Sequence, residues 1–121
     1  DAHGDGALDL VVASGGNAFW GADDALRPRL YVNDGRGRFR RDTTAIPPVY
    51  LQAGCVTVGD FDRDGHPDLF LGARVVARAY GVTPPSRLLR NDGRGRFVDV
   101  TAQRAPALAT AGMVTSAAWT D

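Results

Sequence analysis

Short apolar runs separated by Asp- and Gly-rich connections set the rhythm of this chain. Cys55 to Val58 is brief and β-branched, and Asp68-Leu69-Phe70-Leu71-Gly72 follows an acidic stretch. Arg87-Leu88-Leu89-Arg90 and Phe97-Val98-Asp99-Val100 flank a turn. Runs of this length and composition suit a pleated, half-buried surface, so the pattern predicts four strands. Asn-Asp-Gly at 33–35 and 91–93 supplies residues that tolerate positive φ, as a tight connection between antiparallel strands demands. The one candidate helical turn, near Ala102 to Ala109, is interrupted by Pro106. Met113 to Thr120, rich in small and β-branched residues, reads as one more strand.

The pattern repeats. Asp1-Ala2-His3-Gly4-Asp5-Gly6-Ala7-Leu8-Asp9-Leu10 lies over Asp60-Phe61-Asp62-Arg63-Asp64-Gly65-His66-Pro67-Asp68-Leu69 at an offset of 59. Leu30 to Phe39 lies over Leu88 to Phe97 at an offset of 58. Ala118-Trp119-Thr120-Asp121 resembles the approach to Asp60, as though a third copy stopped at its first Asp. A period of this size indicates a repeat array, and four short antiparallel strands per unit describe a β-propeller blade. The expected fold is therefore all-β, with about two blades' worth of chain: 1–50 as strands two to four of one blade, 51–106 as a complete blade, and 107–121 as the first strand of the next. Two blades cannot close a ring, so other blades, from a longer parent chain or from head-to-tail copies, are the expected partners. In that arrangement Met113–Thr120 does not pair with Leu8–Ala13 of its own chain.

Composition narrows the field. The 14 basic residues are all Arg and the 14 acidic ones all Asp, for a net charge of zero, and with 15 Gly they favour loops and turns over long helices. Zero net charge without a basic block argues against nucleic acid or an anionic membrane as partner. Apolar stretches such as Leu10-Val11-Val12-Ala13 are far short of a membrane span, so no membrane insertion is expected. The chain starts at Asp1 and is read as an excised piece. The lone Cys55 sits beside Val56 and Val58 and is expected to be a buried thiol.

The acidic loops carry the chemistry. Positions 1, 3, 5 and 9 of the second are Asp60, Asp62, Asp64 and Asp68, with Gly65 for the sharp bend. Ca2+ is a hard cation that takes six to eight oxygens at about 2.3–2.6 Å, and alternate carboxylates on a curled loop converge on one point. The seventh position, His66, would offer its backbone carbonyl. An EF-hand is excluded because Leu71 stands where its twelfth-position Glu is needed. The first loop keeps Asp1, Asp5 and Asp9, with Ala7 at the carbonyl position, but places His3 where an Asp is expected. Imidazole is a poor calcium ligand, so the first site should be weaker.

Val58-Gly59-Asp60-Phe61-Asp62-Arg63-Asp64-Gly65-His66-Pro67-Asp68-Leu69-Phe70-Leu71-Gly72, followed by Leu89-Arg90-Asn91-Asp92-Gly93-Arg94-Gly95-Arg96-Phe97-Val98-Asp99-Val100-Thr101, resembles the VCBS or FG-GAP repeats, the calcium-loop propeller repeats that also build the integrin α head. The resemblance implies a propeller fold, bound calcium and an extracellular or periplasmic setting. It fixes no single activity, since such repeats serve adhesion, glycan binding and enzyme accessory roles.

No nucleophile has a partner His in a plausible motif, so the chain is read as non-enzymatic. The Arg tips at 36–38 and 94–96 are expected to be solvated hairpin ends, and Trp20, Trp119, Tyr31, Tyr50 and Tyr80 to pack between blades. The leading expectation is a module for protein or glycan contact, with calcium structural. The alternatives are an accessory or substrate-binding part of a secreted carbohydrate-active enzyme, and a self-assembling repeat that forms a ring or filament.

Overall fold

The computed structural model describes residues 1–120. Strands β1 (Leu10–Val12), β2 (Arg29–Asn33) and β3 (Phe39–Asp42) form a three-stranded antiparallel sheet in chain order. Strands β4 (Gln52–Gly59), β5 (Asp68–Val75), β6 (Arg87–Asn91) and β7 (Phe97–Asp99) form a four-stranded one, again in chain order. The registers correspond: Leu10 faces Tyr31 as Leu69 faces Leu89, and Asn33 faces Phe39 as Asn91 faces Phe97. Only β4 has no counterpart in the first sheet. Among the described residues no helix is long and apolar enough to cross a membrane.

Alternation along β5 puts Leu69, Leu71 and Ala73 on one face, where they join Leu89, Phe97, Leu30, Ala2 and the connecting stretch Ala45–Leu51 in a single core shared by the two sheets. Leu30, Leu69, Leu71 and Leu89 are fully buried, and each contributes roughly 1.5–3 kcal/mol. A bulge near Ala53 bends β4 toward the first sheet, where Ala53 N–H donates to Ser14 O at 3.0 Å. The turn expected around Pro106 is a four-residue helix, α1 (Thr101–Arg104), and a 3-10 turn (Pro106–Ala109) that opens with the proline, where a missing N–H does no harm.

Met113–Thr120, expected as the first strand of a following blade, lies unpaired along the second sheet's outer face: Val114 N–H donates to Ala73 O at 2.9 Å and the Trp119 ring lies over Gly59. Among the described residues β1 pairs only with β2. Asp121, the first Asp of the expected third loop, lies outside the described residues. Two expectations need correction. Cys55 is half-buried, its sulfur beside Gly72 under Val114, on the face away from the core. The five Trp and Tyr residues are likewise not core: Trp20 is half-exposed beneath the Arg78 guanidinium, Tyr80 fully exposed, Trp119 exposed, and Tyr31 and Tyr50 only half-buried. Leu, Val and Ala fill the space between the sheets instead.

Candidate metal centre

The two acidic loops are wired alike by their own carboxylates. Asp60 accepts the N–H groups of Asp64 and Gly65, as Asp1 accepts those of Gly4, Asp5 and Gly6, and this curls each loop around its first residue. Asp64 accepts His66 N–H, as Asp5 accepts Ala7 N–H. The ninth-position carboxylates clamp loop to sheet: Asp68 takes the N–H of Phe61 and of Asn91, and Asp9 those of Ala2 and Asn33. Gly65 and Gly6 both stand at φ 86°, so the bend falls on the glycine in each copy.

In the second loop one carboxylate oxygen from each of Asp60, Asp62 and Asp68 lies within 4.8 Å of the others. Asp68 is fully buried, and that burial, reinforced by the charges of Asp62 and Asp64, raises its pKa despite the two N–H groups it accepts. Asp62 is held by Arg90, whose Nε stands 2.6 Å from Oδ2 and lowers the carboxyl's pKa, while Oδ1 of Asp62 is buried with no partner among the described residues. Asp64 is not one of the three: its Oδ2 meets Arg90 Nη2 at 2.5 Å and its Oδ1 accepts His66 N–H. A hard divalent cation fits this donor set: three converging carboxylates, one of them desolvated, and an oxygen in want of a positive partner.

The first loop differs. His3 occupies the place of Asp62, and its Nδ1 lies 3.3 Å from Asp9 Oδ2. Burial alone would raise the Asp9 pKa, but the N–H groups of Asn33 and Ala2 together with His3 outweigh it and the pKa falls. Asp1, Asp5 and Asp9 do not come together as a group of three ligands among the described residues.

The loops also meet across the repeat. The buried Asn91 amide donates to Ala2 O at 3.0 Å and to Pro67 O at 3.2 Å, joining the first loop to the second. His66 and His3 lie against Gly93 and Gly95 of one hairpin tip, where a Cβ would stand 2.5 Å from either Nε2. In that tip the glycines take positive φ, while Asn91 Oδ1 and Asp92 Oδ1 accept the turn's N–H groups, so the Asn and Asp act as acceptors rather than as left-handed residues. Sequence reasoning missed Arg90 and Asn91 as parts of the site. The signal for Arg90 was present, since its match in the first repeat is Val32, just as the match of Asp62 is His3.

A family model described as FG-GAP-like repeat matches residues 1–71, from the first acidic loop through the second and into β5. Neither the curated proteins nor the solved structures contain a match to this chain. With more than half of its length matched, and with two copies of one loop-and-sheet unit in the same register, the chain belongs to the FG-GAP-like repeat family.

Proposed function

We propose that this chain is a non-enzymatic, calcium-binding propeller module that presents its loops for contact with proteins or glycans outside the cytoplasm, calcium being structural. The observation that carries the reading is the convergence of Asp60, Asp62 and Asp68, with a buried oxygen of Asp62 that has no partner among the described residues. These residues would hold the ion, with Asp64 and the His66 carbonyl completing the set. The cation supplies positive charge that offsets the repulsion among the carboxylates. Asp60 curls the loop, Asp68 ties it to β6 through Asn91 N–H, and the connection between β4 and β5 becomes rigid. The two in-order antiparallel sheets sharing one core support the propeller reading. The expected test result is calcium binding by calorimetry at millimolar concentration, a melting temperature that falls on chelation, and loss of both effects in Asp62→Ala with little change in Asp5→Ala. No heat and no thermal shift in the unsubstituted chain would overturn it.

A further inference from the structure

The same loop already carries a cation of its own. Arg90, on β6, sets Nε 2.6 Å from Asp62 Oδ2 and Nη2 2.5 Å from Asp64 Oδ2, a fork that engages two of the loop's four carboxylates at once. Among the described residues Asp60 and Asp68 have no salt bridge and Asp62 Oδ1 has no hydrogen-bond partner, so the guanidinium neutralises only one side of the cluster. The first repeat lacks both halves of this pair, with His3 for Asp62 and Val32 for Arg90, which marks the two as one unit. The Arg90 side chain is 40% exposed, so its guanidinium stands within reach of water.

Resting on the metal reading above, we propose that Arg90 is an internal competitor for the metal: it holds the loop together in the metal-free state and is displaced from Asp62 and Asp64 when a divalent cation binds. The reason is electrostatic. Two cations that draw on the same pair of carboxylates repel each other, and Asp64 cannot serve the fork and the metal with one oxygen. Metal affinity is thereby set below what the carboxylates alone would give, and the loop keeps its shape when calcium is scarce. By reciprocity, calcium weakens the Arg90 contacts as much as Arg90 weakens calcium.

Calorimetric titration of the whole chain with calcium alone, in the unsubstituted protein and in Arg90→Val and Arg90→Lys, tests this. Arg90→Val, the residue of the first repeat, should bind about tenfold more tightly, within the usual range for two coupled occupants. Its metal-free melting temperature should fall, and calcium should raise it by more than in the unsubstituted chain. Arg90→Lys keeps the charge and should stay close to the original affinity. Equal or weaker binding by Arg90→Val would overturn the competition and make Arg90 a positioning residue, whereas absence of binding in all three would overturn the metal reading itself. Should Arg90→Val fail to fold, the Arg90 Nε–H resonance of the unsubstituted chain decides: it should lose its protection from solvent exchange at saturating calcium, and an unchanged signal would refute displacement.

Discussion

Arg63 and Gly4 occupy the same place in the two loops, and both sit in the left-handed region, at φ 60° and 71°. That conformation costs a residue with a Cβ about 1–2 kcal/mol, partly offset by the extra entropy a glycine loses on folding. Arg63→Gly should therefore stabilise the metal-free chain by roughly 0.5–1 kcal/mol, read as a rise in melting temperature, and a fall would contradict the strain. Asp42 offers a pH test. Thr44 N–H, working against burial and assisted by the Thr44 hydroxyl, Ala45 N–H and the Arg40 charge, holds its pKa below the ordinary 3.8. A depressed carboxyl contributes stability that is complete above the unfolded value and is lost as pH falls through the folded one. Asp42→Asn keeps an acceptor but cannot ionise, so the unfolding free energy should fall less steeply below about pH 4, and an unaltered slope would rule the contribution out. Asp99 and Thr101 repeat this turn, with Asp99 Oδ1 accepting the N–H and hydroxyl of Thr101. At this scale the acidic-loop residues stand out in the sequence, because a period of two along a loop is visible in letters. Arg90 shows in no local pattern, since its ion pair spans 28 residues, and only the paired replacement by Val32 and His3 in the first repeat points to it.

Loop, hairpin and sheet act as a unit through Asn91. Its N–H donates to Asp68, its amide donates to the carbonyls of Ala2 and Pro67, and its Oδ1 accepts Gly93 N–H, all with the side chain fully buried. Asn91→Ala keeps the backbone bond but strips two carbonyls and a turn N–H of their partner, the Ala2 carbonyl in a fully buried place and the other two in partly buried ones. The expected loss is about 2–3 kcal/mol, measured by denaturant unfolding. The matched Asn33, whose amide donates to Leu8 O near the surface, should cost under about 1 kcal/mol on the same change because water replaces it. Equal losses would mean that burial does not set the cost. The strands themselves were readable: Cys55–Val58, Asp68–Gly72, Arg87–Arg90 and Phe97–Val100 all fall within or overlap β4 to β7. Local alternation and turn chemistry determine such elements. Met113–Thr120 is also rich in small and β-branched residues and has no strand partner among the described residues, since pairing depends on which edge lies beside it and composition carries no information about neighbours.

Across the whole molecule the two repeats are alike in register and unlike in cover. Leu69 is 1% exposed and its match Leu10 48%, while Phe97 is 5% exposed and its match Phe39 51%. What covers the second pair is the first repeat: Phe97 N–H donates to Ala45 O at 2.7 Å, and His3 lies on Gly95, whereas the matching Gly37 has nothing within reach. On the opposite side Val114 touches Ala73 as Ala53 touches Ser14, so the chain offers the second sheet the kind of contact that β4 offers the first. The face of β1 to β3 is therefore left open at Leu10 and Phe39, and a second repeat is the occupant expected there. Covering the open halves of Leu10 and Phe39 would contribute only about 1 kcal/mol each, enough for weak, concentration-dependent association and too little for a permanent dimer by those two side chains alone. Sedimentation at rising concentration should show self-association in the unsubstituted chain and less in Phe39→Ser, with the melting temperature of dilute protein nearly unchanged. Phe97→Ser, by contrast, removes a core ring and should cost about 3–5 kcal/mol. If Phe39→Ser instead lowered the dilute melting temperature as much as Phe97→Ser does, Phe39 would already be covered within one chain, and the open face would not be a seat for a neighbour.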